Sequence, residues 1–240
     1  MSAVLSIRDL AVRFATPDGV VPAVNEFSLE LAPGECVGIV GESGAGKSQS
    51  FLAVMGLLAA NASVSGSARL GDTELLGNDR QALNAVRGSK LAMIFQDPMS
   101  SLHPYYSIGD QIIEAHQVHN DVDREVSKAR AIELLEMVGI PEASTRMKSY
   151  PHQFSGGMRQ RIMIAMALLC KPKLLIADEP TTALDVTVQA EIMALLNDLK
   201  SDFDMTIILI THDLGVVAGN CDEVIVLYGG RIMEQGLVND

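Results

Sequence analysis

A glycine-rich segment, GESGAGKS at Gly41 to Ser48, constrains the fold of this chain more than any other stretch. It follows an apolar run, Cys36 to Val40, and precedes a helix-compatible segment, Gln49 to Leu58. A buried strand, a glycine-rich turn and a helix N-terminus together form a phosphate-binding loop, because the glycines let the backbone approach the anion and the first N–H groups of the helix point at it. The sequence therefore predicts an α/β fold that holds a nucleotide.

Two side chains of this segment have defined roles in a phosphate-binding loop. Lys47 is expected to reach the β- and γ-phosphates, and the hydroxyl of Ser48 is expected to bind the magnesium ion that bridges them. The residues in and directly after the segment that are predicted to contact the nucleotide are Gly41, Ser43, Gly44, Ala45, Gly46, Lys47, Ser48 and Gln49.

Charge and composition restrict the partners of the chain. The net charge is −12 and aromatic residues make up only 4%, so neither electrostatics nor stacking side chains favour nucleic-acid binding. The longest apolar run, Ile162 to Cys170, is far shorter than the about 20 residues that a membrane-spanning helix needs. We expect a soluble chain, which would have to dock on other chains if it works at a membrane.

Further apolar runs are each followed directly by polar side chains, which are Gln96, then Asp178 and Glu179, then His212. The carboxyl ends of strands in open α/β sheets are where ligand-contacting groups lie. Asp178 is therefore suited to organise Mg²⁺, and Glu179 to polarise water for attack on the γ-phosphate. Gln96 is a candidate magnesium or water contact, with an ordinary turn residue as the alternative. His212 is a candidate γ-phosphate contact, although a lone histidine is more often structural.

A second helix start in the chain is suited to anion binding. In FSGGM, at Phe154 to Met158, Ser155 predicts an N-cap, and Gly156 and Gly157 leave the first N–H groups of the helix sterically open. In isolation, a routine capped helix is the simpler interpretation of this segment.

The N-terminal part of the chain predicts an antiparallel sheet. Leu5 to Phe14 and Ala23 to Leu31 alternate apolar and polar residues around the turn-like TPDG, and a further short strand is expected around Ser67 to Leu75. Phe14 lies near the end of the first strand, where its ring is equally suited to stack on a base or to fill the core.

A helical segment interrupts the α/β pattern between Asp97 and Gln153. Its clearer helix runs from about Asp123 to Val138, with apolar residues at three- and four-residue spacing. The histidines of this part of the chain share no metal-like spacing and are expected on the solvated surface; they are His103, His116, His119 and His152. The predicted organisation is one domain over residues 1–240 with a helical insertion at about 97–153.

The order and kind of these motifs resemble the ATP-binding subunit of ABC transporters over essentially the whole chain. GESGAGKS is similar to the Walker A loop, FSGGM to the family signature, and LLIAD at 174–178 to the Walker B strand. Single residues match in the family's order: Gln96 the Q-loop, Glu179 the catalytic carboxylate, Asp185 in ALD the D-loop and His212 the switch histidine, while Phe14 matches the base-stacking aromatic. The resemblance implies a P-loop NTPase core, a mostly parallel sheet flanked by helices, with an N-terminal antiparallel β subdomain and a helical insertion subdomain, which binds ATP and Mg²⁺.

The resemblance also implies partners. In that family two such subunits pack head to tail, and each ATP lies between the Walker A loop of one subunit and the signature helix of the other. Ser155, Gly156 and Gly157 would then contact ATP held by a second ABC ATPase subunit, identical or different. The insertion would contact two transmembrane permease subunits at the cytoplasmic face of the cell membrane, where the subunit is peripheral, and an extracytoplasmic solute-binding protein would be an indirect partner.

Local details are most similar to the ATPases of bacterial oligopeptide or dipeptide importers, with nickel importers a near neighbour; they include FQDPMSSLHPY and DEPTTALDVTVQAEI. Met158 and Gln49 depart from many family members but are common in the peptide branch. Similar subunits usually continue with a further C-terminal segment, which we expect to be missing after Asp240. The alternatives are a soluble ABC protein without a membrane partner and a regulatory subunit without turnover, against which Glu179 and His212 argue.

Overall fold

The computed structural model describes residues 3–97, 101–182 and 184–238. They divide into two compact units, the first made of Met1–Arg87 with Asp204–Asp240 and the second of Gly88–Phe203. Within the described residues the strands, in chain order, are β1 (Leu5–Thr16), β2 (Gly19–Leu31), β3 (Cys36–Gly41), β4 (Ala62–Leu70), β5 (Thr73–Glu74), β6 (Leu91–Ile94), β7 (Leu174–Asp178), β8 (Thr206–Thr211), β9 (Glu223–Tyr228) and β10 (Arg231–Leu237). The helices of the same residues are α1 (Lys47–Val54), α2 (Arg80–Val86), α3 (Ile108–His119), α4 (Arg124–Met137), α5 (Ala143–Arg146), α6 (Gly156–Ala167), α7 (Val186–Asp202) and α8 (Leu214–Asn220), with a 3-10 turn at Pro151–Gln153.

An antiparallel sheet in the order β2-β1-β4-β5 forms one part of the first unit. β1 and β2 make a hairpin, and their alternating apolar residues face the core, where Phe27 of β2 meets Phe51 of α1 edge to face with ring centroids 5.9 Å apart. The predicted antiparallel pairing is confirmed, with both strands longer than expected. The strand expected around Ser67 to Leu75 is present as two strands, because the chain ends β4 at Leu70, turns at Gly71, whose φ is +55°, and returns as β5.

A second sheet in the first unit places β3 between two parallel neighbours, β8 and β9, and β10 closes it as an antiparallel edge. All of β3 before Gly41 is buried, as expected for a strand covered on both faces. Helix α8 lies against β3 where Gly38 provides no side chain: a β-carbon added there would lie 2.5 Å from Cγ1 of Val217. Gly229 and Gly230 form the turn of the β9–β10 hairpin.

The second unit contains the parallel pair β6 and β7, the helices α6 and α7, and the helices of the predicted insertion. Helix α4 begins after Asp123, whose side chain accepts a hydrogen bond from the backbone N–H of Val126 at 2.9 Å, which confirms the predicted helix and its start. Residues 98–100 of the insertion lie outside the described residues. Among the helices that the structure describes, none is both long enough and apolar enough to cross a lipid bilayer.

His116 departs from the expectation of a solvated surface. Its side chain on α3 is buried, and its Nδ1 lies 3.1 Å from the hydroxyl oxygen of Ser127 on α4. Burial lowers the pKa of His116, and the positive charge of Arg130 lowers it further. The neutral imidazole is therefore a structural link between the two longest helices of the insertion.

The lowered pKa of His116 predicts a stability that depends on pH. The unfolded chain binds a proton at this residue near its ordinary pKa of about 6.5, whereas the folded chain resists protonation until lower pH. The free energy of unfolding should therefore be highest above pH 6.5 and fall as the pH decreases below it. Urea unfolding at pH 7.5 and pH 5.5 measures the loss, which should shrink in His116→Gln; an equal loss in both proteins would contradict this role.

Candidate functional site

The phosphate-binding loop, residues 41–48, joins β3 to α1 as the sequence predicts. Gly44 and Gly46 have left-handed backbones, with φ of +81° and +96°. Gly46 is the N-cap residue of α1 and provides no side-chain cap to the helix. A β-carbon at Gly46 would lie 2.4 Å from the carbonyl oxygen of Ala23, so only glycine fits there. The helix start therefore presents backbone N–H groups and the positive end of the helix dipole.

Lys47 is the one buried lysine or arginine among the residues that the structure describes, with 5% of its surface exposed. Its ammonium donates hydrogen bonds to the carbonyl oxygens of Gly41 at 2.6 Å and Glu42 at 3.0 Å. Two of its three hydrogens thus stabilise a charge that would otherwise be costly to bury. A buried cation, a glycine turn and a helix start without a side-chain cap fit a bound phosphate group.

The other predicted nucleotide contacts of the first unit lie at different depths. Ser43 is exposed, Ala45 is buried, and Ser48 and Gln49 are half-buried on the first turn of α1. Phe14 is half-buried on β1, opposite Val21 of β2 and Ala62 of β4.

His212 follows β8 at the same edge of the sheet as the phosphate-binding loop. Val40 of β3 pairs with Thr211 of β8, so His212 follows β8 at the level where Gly41 ends β3. His212 is exposed, and the next residue, Asp213, caps α8 by accepting a hydrogen bond from the N–H of Gly215 at 2.8 Å. The predicted placement of this histidine at a strand end is present in the first unit.

A carboxylate held by two donors lies at the end of the parallel strands of the second unit. Oε2 of Glu179 accepts hydrogen bonds from the amide nitrogen of Gln96 at 3.0 Å and from the hydroxyl of Thr182 at 2.7 Å. The backbone of Glu179 is left-handed, with φ of +45°, which costs a residue other than glycine about 1–2 kcal/mol. Asp178, just before it, is buried with 5% of its surface exposed.

The sequence predicted Gln96 and Glu179 as site residues but did not predict that they bond to each other, and it missed Thr182. The signal for Thr182 was available, because it stands three residues after Glu179 in a turn that contains Pro180. The backbone N–H of Thr182 donates to the carbonyl oxygen of Glu179 at 3.1 Å, which closes that turn and brings the hydroxyl back to the carboxylate.

Helix α6 begins at the signature segment in the predicted manner. The hydroxyl oxygen of Ser155 accepts a hydrogen bond from the N–H of Met158 at 3.4 Å, so Ser155 is the N-cap. The two glycines differ in their surroundings. A β-carbon on Gly156 would make an ordinary contact of 3.5 Å with Leu184, whereas one on Gly157 would lie 2.7 Å from Cγ1 of Val188. Gly157 therefore lets α6 approach α7, whereas Gly156 has room for a side chain.

Asp185, predicted to contact a nucleotide, is the N-cap residue of α7. Its side chain accepts a hydrogen bond from the N–H of Val188 at 3.0 Å. Ala183 of the same predicted D-loop lies outside the described residues. The contact that the structure gives Asp185 is therefore a helix cap within its own chain.

The sequence and the fold agree with known proteins. Residues 24–182 match the family model described as ABC transporter. The chain belongs to the ABC transporter family. The match confirms the family that the order of motifs predicted.

Individual relatives of this ABC transporter chain are similar over nearly its whole length. It is 59% identical to the oligopeptide transport ATP-binding protein OppD of Haemophilus influenzae, over 98% of this chain and 73% of the relative. It is 57% identical to the protein of the same name in Escherichia coli, over 99% of this chain and 71% of that one. The dipeptide transport ATP-binding protein DppD of Haemophilus influenzae is 50% identical, over 99% and 72% of the two chains.

A solved structure has the same architecture as this ABC transporter chain. The dimeric post-hydrolysis structure of the ATP-binding cassette MJ0796, bound to ADP and Pi, has a TM-score of 0.87 and 26% identity, with 98% of each chain covered. This likeness confirms the predicted α/β fold class.

The two glycines of the ABC signature predict different effects on stability. Gly157→Ala should lower the midpoint of thermal unfolding clearly, because the added methyl group collides with Val188 and must push α7 away. Gly156→Ala should leave the midpoint unchanged or raise it, because alanine favours the helix and meets only an ordinary contact. Calorimetry of both variants checks the difference, and equal midpoints would contradict the role assigned to Gly157.

Proposed function

We propose that this chain is the ATP-hydrolysing subunit of an importer for oligopeptides or dipeptides. The observation that carries the proposal is the Glu179 carboxylate, which two donors orient on a left-handed backbone directly after the buried Asp178. The left-handed backbone and the two hydrogen bonds together hold this carboxylate in one orientation at the end of the strand, as a general base requires. The names of the most similar relatives, which are transport ATP-binding proteins for oligopeptides and dipeptides, support the substrate class.

ATP is held in this proposal by the phosphate-binding loop. The buried ammonium of Lys47 exchanges its hydrogen bonds with loop carbonyls for bonds to the β- and γ-phosphates, and the first N–H groups of α1 bind phosphate oxygens. Phe14 stacks on the adenine ring with the exposed part of its own ring.

Mg²⁺, when bound, neutralises charge on the β- and γ-phosphates. Hydroxyl and carboxylate oxygens are the donors that this ion prefers, and they are offered by Ser48 on the first turn of α1 and by Asp178 at the end of β7. In this proposal Ser48 and Asp178 hold the ion, and the oxygen of the Gln96 amide is a further candidate ligand.

Glu179 acts as the general base in the proposed reaction. The hydrogen bonds from Gln96 and Thr182 anchor Oε2 of its carboxylate, and in this proposal the group accepts a proton from the water molecule that attacks the γ-phosphate. His212, at the strand end beside the phosphate-binding loop, contacts the γ-phosphate.

The subunit works as half of a head-to-tail dimer in this proposal, with an identical or a related partner. The dimeric state of the similar MJ0796 cassette supports it. Ser155, Gly156, Gly157 and Asp185 then face the ATP of the partner subunit. Residues 1–240 form one nucleotide-binding domain, and its insertion at about 97–153 contacts two transmembrane permease subunits at the cytoplasmic face of the membrane.

Removal of the Lys47 ammonium should abolish tight nucleotide binding. Truncation of one partner in a buried charge pair costs about 2–5 kcal/mol, so Lys47→Ala should weaken Mg-ATP binding roughly 30-fold or more. The exposed Lys148 provides a matched control, because Lys148→Ala removes the same charge far along the chain in the second unit. Isothermal calorimetry compares the two, and equal affinities would refute the assignment of the phosphate-binding loop.

Glu179→Gln should separate hydrolysis from binding. The substitution keeps the shape of the side chain but removes the base, so phosphate release should fall by about 10²- to 10⁴-fold while ATP stays bound. The variant should accumulate as a dimer with Mg-ATP but not with ADP, which size-exclusion chromatography detects. Asp178→Asn, in comparison, should lose Mg²⁺-dependent affinity as well as turnover. Near-normal hydrolysis by Glu179→Gln would show that the water is activated elsewhere.

A further inference from the structure

The turn of the β9–β10 hairpin is bonded directly to the phosphate-binding loop. The backbone N–H of Gly230 donates a hydrogen bond to the carbonyl oxygen of Ala45, at 3.1 Å. The carbonyl oxygen of Gly230 accepts one from the N–H of Asn25 on β2, at 2.7 Å. A single residue of the hairpin thus joins the loop to a strand of the other sheet of the first unit.

The space around these bonds admits glycine alone. The carbonyl oxygen of Ala23 would lie 2.6 Å from a β-carbon on Gly230 and 2.4 Å from one on Gly46. Both glycines have left-handed backbones, with φ of +78° and +96°. The carbonyl group of Ala23 therefore packs against both the hairpin turn and the last glycine of the phosphate-binding loop.

The same hairpin also holds the start of the loop. Gly41 pairs with Leu227 near the end of β9, and a β-carbon on Gly41 would lie 2.3 Å from the carbonyl oxygen of Leu227. Backbone contacts from β2 and the β9–β10 hairpin therefore fix the loop at Gly41, Ala45 and Gly46. None of these contacts depends on a side chain, so the stretch Tyr228 to Arg231 carries no sequence motif for phosphate binding.

We propose that Gly230 is a positioning residue for nucleotide binding, acting through Ala45 and Gly46 on the phosphate-binding loop. The inference rests on the proposed function, because it assigns a role at the same ATP site. The first N–H groups of α1 bind phosphate only if the loop holds them in place, and a displacement of about 1 Å in such a site is enough to weaken it strongly. Gly230 supplies that fixation from outside the loop.

Two other glycines separate this role from a general effect on folding. Gly229 shares the left-handed backbone of Gly230, with φ of +56°, but it is exposed and a β-carbon there would meet no atom within 4 Å. Gly66 on β4 has φ of +103°, and a β-carbon there would lie 2.5 Å from the carbonyl oxygen of Asp9, on β1. Gly229→Ala thus reproduces the backbone strain without a clash, and Gly66→Ala reproduces a backbone clash away from the loop.

The test compares the affinity of the full chain for Mg-ADP in the three alanine variants by isothermal calorimetry. Gly230→Ala should weaken binding by about tenfold or more, since the hairpin turn must move away from Ala23 and displaces the loop that is bonded to it at Ala45. Gly229→Ala and Gly66→Ala should stay within about twofold of the wild type, although Gly66→Ala should lower the midpoint of thermal unfolding. Wild-type affinity in Gly230→Ala, or an equal loss in Gly66→Ala, would overturn the inference.

Hydrogen exchange on the unaltered protein decides the question if Gly230→Ala does not fold. The amide of Gly230 opens only when its bond to Ala45 breaks, so saturating ADP should slow its exchange more than that of the β10 amides at 232–236. Bound ADP can slow this exchange by at most about 100-fold at an ADP concentration 100 times the Kd. Equal slowing at all these amides would overturn the inference. A wild-type chain that binds no ADP would refute the proposed function and this inference together, whereas tight wild-type binding with no effect at Gly230 refutes the inference alone.

Discussion

The buried ammonium of Lys47 depends on carbonyl oxygens that only a tight turn can direct at it. The net charge of −12 attracts the ammonium at long range. Burial also removes its water, so the ammonium needs hydrogen-bond acceptors at about 3 Å to replace that water. Gly41 and Glu42 provide them, because the chain reverses between β3 and α1. The left-handed glycines, the contact with Ala23 and the hairpin beside the loop all serve to keep that reversal in one conformation.

Helix caps recur where the family motifs lie. Ser155 caps α6, Asp185 caps α7 and Asp213 caps α8, each through a hydrogen bond to a backbone N–H of the first turn. Such a cap contributes about 1 kcal/mol to stability and fixes where the helix begins. A motif residue that also caps a helix sets the position of its neighbours, so substitution of Ser155 or Asp185 would alter geometry as well as chemistry.

The sequence predicted those parts of the fold and site that depend on interactions between residues close together in the chain. The strand-turn-helix at Lys47, the cap at Ser155 and the polar strand ends at Asp178 and His212 all have short-range signals. Helix α8 was missed because Gly215 and Gly219 weaken its helical propensity in only seven residues. His116 was misplaced although it stands four residues after the buried Ile112, on the apolar face of α3.

The role of Gly230 lay beyond prediction for a different reason. Its partners, Asn25 and Ala45, are far from it in the chain, and the bonds between them use backbone atoms alone. A sequence pattern reports side chains at fixed spacing, so it cannot show a contact of this kind. Thr182 lies between these two cases. The sequence contained a turn signal for it, but it predicted Glu179 separately and did not indicate that the two residues bond.

In the proposed mechanism, the left-handed backbone of Glu179 makes stability and activity compete at one position. Glycine would relieve the strain, and asparagine tolerates that conformation better than glutamate does, yet neither residue could accept a proton from water as a carboxylate does. A descendant that used ATP only as a ligand would lose nothing by such a replacement and would fold more stably. When turnover is no longer selected, we therefore expect glycine or asparagine to replace glutamate at this strand end. Directed evolution for thermal stability alone should select the same replacement early and thereby abolish ATP hydrolysis.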